Sequence, residues 1–63
     1  MSKMFGKQAV VNGILVRVER STDLFHIIVR KYSDSVLLET ELFLLRQEIE
    51  ANTVFESWLK EGS

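Results

Sequence analysis

Asn12-Gly13 stands between two apolar runs, Ala9-Val10-Val11 and Ile14-Leu15-Val16, and no other dipeptide in the chain restricts its fold so tightly. A two-residue type I′ turn needs positive φ at both central positions, which Asn and Gly supply with the least strain, so the pair predicts a β-hairpin. The strands are placed at about 5–11 and 14–20. The turn then fixes the register, with Val11 opposite Ile14, Val10 opposite Leu15, Ala9 opposite Val16 and Gln8 opposite Arg17.

Ser21-Thr22-Asp23 is the next polar break, and the β-branched and aromatic run that follows predicts a third strand at about 24–32. A turn at Thr22-Asp23 sets Arg20 opposite Phe25, Glu19 opposite His26 and Val18 opposite Ile27. All three strands then share two faces. One carries Ala9, Val11, Ile14, Val16, Val18, Phe25, Ile27 and Val29 and is uniformly apolar. The other carries Gln8, Val10, Leu15, Arg17, Glu19, His26, Ile28, Arg30 and Tyr32, and is about half apolar where a solvated face is mostly polar.

Beyond the strands the pattern changes to a helical one. Ser33-Asp34-Ser35 offers N-capping side chains, and Leu38, Leu42, Leu45 and Ile49 recur at helical spacing, which predicts a helix at about 35–50. Val36–Thr40 also fits a short fourth strand after a Ser-Asp-Ser turn, with the helix starting at Thr40. Ala51-Asn52 reads as a stop and Thr53-Val54-Phe55-Glu56 as a capping box, which starts a second helix at about 54–61. The expected architecture is an α+β single domain over residues 1–63: a three-stranded antiparallel meander followed by two C-terminal helices. Its core joins the apolar sheet face to the Leu38–Ile49 stripe and to Val54, Phe55 and Trp58.

Chain length makes association an issue. A domain of 63 residues buries only about 60% of its unfolded surface, and small domains usually add disulfides, a metal or a second subunit. There is no Cys, and a single His does not make a clustered metal site, which leaves assembly. With 46% apolar residues and no Pro the chain is not of disordered composition. Its apolar runs are far short of the ~20 residues that span a bilayer, and residues 1–7 carry charge without the apolar stretch of a signal peptide. A cytoplasmic protein is expected. The formal net charge of −1 conceals a division: residues 1–32 hold six cations against two carboxylates, and residues 33–63 hold two against seven.

Candidate chemistry is sparse. Histidine is the residue type that changes charge near neutral pH, but His26 has only Glu19 as its expected neighbour, a pairing that typically stabilises a strand pair. The glutamates scatter over helix surfaces, and the glycines are isolated and form no phosphate loop. No enzyme, cofactor, metal or small-molecule substrate is expected. Arg17, His26, Arg30 and Tyr32, with Lys3, Lys7, Arg20 and Lys31 nearby, make the one arrangement suited to nucleic acid, since sheets bind it when cations and aromatics are exposed. Three strands followed by a helix ending Glu56-Ser57-Trp58-Leu59-Lys60 is similar, in element order, to the sheet-type DNA-binding domains of some phage and transposon integrases. The likeness is one of element order and carries no function by itself; the alternative function, a nucleic-acid-binding module, rests on the basic sheet face.

The preferred reading is that protein covers the mixed face. Val10, Leu15, Ile28 and Tyr32 form an apolar patch, while Arg17, His26 and Arg30 resemble the rim of an interface. Val36 and Phe43 lie off the helical stripe and are secondary interface candidates; the bland alternative is that Met4 and Phe5 fold over one of these patches. Trp58 reads as a core anchor whose loss costs about 3–5 kcal/mol. The expected function is thus a small non-enzymatic interaction protein: a regulator, adaptor or inhibitor of the sort phages encode, acting as a homodimer on a protein partner.

Overall fold

In the computed structural model, which describes residues 6–62, Asn12 and Gly13 have φ of 51° and 79° and close the predicted hairpin in the predicted register. Its strands are β1 (Lys7–Val11) and β2 (Ile14–Arg20). The same backbone signs recur at Asp34 (φ 50°) and Ser35 (φ 67°), where a second tight turn joins β3 (His26–Ser33) to β4 (Val36–Leu44). A short 3₁₀ turn, Leu45–Gln47, leads into one helix, α1 (Glu48–Gly62). The sheet is antiparallel in the order β1-β2-β3-β4.

Four strands and one helix therefore replace the expected three strands and two helices. Ser33-Asp34-Ser35 is a hairpin turn rather than a helix cap, so Val36 pairs back on Ser33 and the chain continues as strand well beyond Thr40. Leu38 and Leu42, placed by the helical reading in the core, lie exposed on β4, and Ile49 is 81% exposed at the start of α1. The expected break at Ala51-Asn52 is absent. The Thr53 hydroxyl donates to the Ile49 carbonyl at 2.9 Å, so it bonds the preceding helical turn instead of capping a new one. With a fourth strand before the helix, the likeness of element order to integrase DNA-binding domains is lost.

The β2–β3 pairing differs from expectation by two residues: Arg20 faces Ile27, Glu19 faces Ile28 and Arg17 faces Arg30. Residues 21–25 form a loop of five instead of a two-residue turn. An even shift leaves every side chain on its assigned face, so the faces survive the error. Phe25 does not; it lies in the loop, 71% exposed, instead of on the apolar face.

Helix α1 crosses that apolar face. Ala51, Phe55 and Trp58, spaced four and three apart, bury against Val16, Val18, Ile27, Val29 and Phe43, with Val54 and Leu59 packed at the margin. Gly62 permits the helix end to approach β1, since a Cβ there would stand 3.1 Å from the Val11 carbonyl oxygen, and the Asn12 side-chain Nδ2 donates to the Gly62 carbonyl. Cations border this core. Lys7 reaches Asn52 at 3.0 Å and the Phe55 ring centroid at 5.0 Å; Lys31 reaches Glu39 at 3.0 Å, Glu61 at 3.2 Å and the Trp58 ring at 5.4 Å.

Candidate interaction surface

The molecule measures 30 × 21 × 16 Å, and the shortest dimension accommodates one sheet and one helix. Two layers give the sheet one covered and one open face. Register places Val10, Leu15, Arg17, His26, Ile28, Arg30 and Tyr32 together on the open face: Val10 beside Leu15, Leu15 beside Tyr32, Arg17 beside Arg30. The fourth strand adds Leu37 beside Tyr32, Leu42 beside Ile28 and Leu44 beside His26. These leucines are the residues that sequence reasoning missed. The spacing of Leu42 and Leu44 by two was their signal, masked by the stronger helical period through Leu38, Leu42 and Leu45.

Phe43 is not available as an interface candidate. It faces the helix beside Ile27 and is only 9% exposed. Val36 is exposed, at the hairpin end of β4. Met4 and Phe5, considered as a cover for either patch, lie outside the described residues, as do Lys3 and the expected start of the first strand at residue 5.

At the centre of the open face, one carboxylate serves two guanidiniums. Glu19 lies 3.4 Å from Arg17 and 3.1 Å from Arg30, which face each other across β2 and β3. Like charges directly opposite on a sheet repel, and Glu19 offsets that repulsion while leaving a surplus of one cation. Around the triad stand Val10, Leu15, Ile28, Tyr32, Leu42 and Leu44. A shallow cleft of about 460 Å³ opens toward the hairpin ends, lined by Val10, Leu15, Arg17, Tyr32 and Asp34 among others.

His26 is engaged elsewhere. Its Nδ1 lies 2.8 Å from Asp23 Oδ2, whereas Glu19, its expected partner, sits opposite Ile28. Asp23 also accepts from the Ser21 hydroxyl and from the Phe25 amide, at 2.8 Å for the latter. These bonds, with the Ser21 hydroxyl first, lower the Asp23 carboxyl to about 2. The Ser21 hydroxyl thus points to the carboxylate and not to the imidazole, and what the trio holds in place is the loop. Among the described residues no three His, Asp or Glu side chains converge as metal ligands, and no helix is long and apolar enough to cross a membrane.

Comparison of the chain with protein-family models, curated proteins and solved structures returned no significant match.

Proposed function

We propose that the chain is a non-enzymatic interaction protein, working as a homodimer, whose helix-free sheet face docks on a protein partner. The observation that carries this reading is the open face itself: apolar side chains of all four strands surround a triad with one surplus cation. The partner surface that fits presents apolar side chains around a carboxylate positioned over Arg17 and Arg30. Such a carboxylate would receive charge-assisted hydrogen bonds in a site whose apolar margin excludes water.

Nucleic acid is the weaker fit. Glu19 offsets one of the two arginines and Asp23 stands against His26, so little positive charge is left on the face to neutralise phosphates. Leu42 and Leu44 further interrupt the basic track.

The test is affinity capture from the native host with tagged wild type, with Leu15→Asp, and with the helix-surface control Ser57→Asp. Support would be a protein retained by wild type and by Ser57→Asp, lost with Leu15→Asp and indifferent to nuclease. Retention that disappears with nuclease and falls steeply with salt would overturn the protein reading in favour of nucleic acid. Equal capture by all three forms would remove the face from consideration.

A further inference from the structure

The sheet has two edges, and they differ. β1 is a five-residue strand tied to the helix end through Asn12 and Gly62 and to the helix side through Lys7. β4 is the longest strand at nine residues, six of them apolar, and only Phe43 of the nine is buried. Val36, Leu37, Leu38, Leu42 and Leu44 are all exposed on it, and among the described residues β4 has one strand neighbour, so it is a long edge strand with much apolar surface. Proteins protect an exposed edge with Lys, Pro, a bulge or a short strand. β4 holds neither Lys nor Pro; of its two carboxylates Glu39 is drawn to Lys31, and Glu41, on the helix-covered face, is the one charge within Thr40–Leu44. A bulge does exist, but at one end: Lys31 faces Glu39 while Tyr32 faces Leu37, leaving Leu38 as the extra residue. Thr40–Leu44 is unbulged, and the outward backbone groups of an edge strand lack a strand partner.

From this we infer that a second copy of the chain pairs antiparallel with the Thr40–Leu44 segment of β4, about a two-fold axis at Leu42, joining two sheets into one of eight strands. The inference rests on the proposal that the chain works as a homodimer, and it assigns that dimer its contact. A two-fold axis normal to the sheet keeps both helices on the same side and requires residues of like face to meet. Three such registers centre inside the segment, on Glu41, Leu42 or Phe43; those on Glu41 and Phe43 each pair only three of its five residues, whereas the one on Leu42 pairs all five. Centring on Glu41 sets that carboxylate against itself, a repulsive pair. Centring on Leu42 sets Leu42 against Leu42, Thr40 against Leu44 and Glu41 against Phe43. Face-to-face packing of two copies is the poorer arrangement, because four arginines would share two glutamates in a dry interface. Edge pairing instead leaves both open faces free on one continuous surface, available to the partner.

The experiment is sedimentation equilibrium on the full chain from about 1 to 100 μM, concentrations at which a micromolar dimer dissociates measurably, with the fold followed by circular dichroism. Wild type is expected as a dimer of the 7.3 kDa chain. Leu42→Lys puts two ammonium groups on the axis and should weaken association at least about 100-fold while the spectrum stays native. Leu15→Lys, on the open face, should leave association unchanged. Amide exchange in residues 40–44 should slow with rising protein concentration. A wild type monomeric at every concentration would overturn both this contact and the homodimer. A dimer that survives Leu42→Lys, or is lost with Leu15→Lys, would overturn the contact and leave the homodimer standing.

Discussion

Leu24 has φ of 65°, a backbone conformation that L-residues with a branched side chain seldom adopt, and its side chain is 59% exposed. No burial offsets the strain, which is of the order of 1 kcal/mol. The loop holds it through bonds on either side: the Leu24 amide donates to the Ser21 carbonyl at 3.0 Å, and the next amide, of Phe25, donates to Asp23. Asn adopts this conformation readily and lacks the extra unfolded freedom of Gly, so Leu24→Asn should stabilise the fold by roughly 0.5–1 kcal/mol in urea titration. A loss of stability would mean that Leu24 contributes packing the strain argument leaves out. Asp23 gives the loop a pH signature. Its carboxyl titrates at about 2 in the fold against 3.8 ordinarily, because the Ser21 hydroxyl, the Phe25 amide and His26 all favour the ionised form. A depressed folded value stabilises above 3.8, and that stabilisation drains away as pH falls toward 2. Asp23→Asn should be less stable at neutral pH, with a shallower decline between pH 4 and 2. Parallel acid limbs for the two proteins would exclude Asp23 as a contributor.

Between elements, the two tight turns show what decides the topology. Asn12-Gly13 suits positive φ at both positions, and the hairpin with its register was legible from those two residues. Asp34-Ser35 adopts the same signs with a less suitable residue at the second position, and Ser33-Asp34-Ser35 also satisfies the rules for a helix cap. Local sequence is thus ambiguous there, and the strand is favoured by contacts remote in sequence: Phe43 beside Ile27, Leu42 beside Ile28, Glu39 bound to Lys31. The same ambiguity explains Leu38, Leu42, Leu45 and Ile49, whose helical spacing carries no helix through β4. Face membership was legible for Leu15, Arg17, Ile28, Arg30 and Tyr32 because it depends on parity, and the two-residue error after Ser21 preserved parity. The leucines that complete the open face were hidden because their strand was. If strain at the second turn is what made it hard to read, Ser35→Gly should remove it. The expected gain is roughly 0.5–1 kcal/mol, somewhat offset by the greater unfolded freedom of Gly. Urea unfolding midpoints for wild type and variant would measure it, and an unchanged or lower midpoint would show that Ser35 sits there without strain.

On the scale of the whole molecule, the electrical division of the sequence is partly resolved within the fold. Cations of the first half meet carboxylates of the second at Lys7–Glu56, Lys31–Glu39 and Lys31–Glu61, and the pairs border the helix-covered face. The Lys31 ammonium is shifted upward chiefly by its bond to Glu39, against the opposing effect of burial. A raised folded value stabilises below the ordinary 10.5 and is lost as pH climbs through the folded value, so the Lys31 pairs hold across the neutral range. Charge asymmetry along the chain therefore serves cohesion of the two layers, and the surplus left on the open face is the small one at Arg17 and Arg30. Cohesion of this kind is still limited by size, since one helix on one sheet buries a single small core. A dimer contact would add to it by mass action, because unfolding would then also require dissociation. Thermal midpoints of wild type should accordingly fall by roughly 3–6 °C for each tenfold dilution, given the transition entropy of a domain this small. The Leu42→Lys midpoint should be independent of concentration and near that of highly diluted wild type. Concentration-independent midpoints in both proteins would mean that the single subunit carries its stability alone, with β4 left as an unpaired edge.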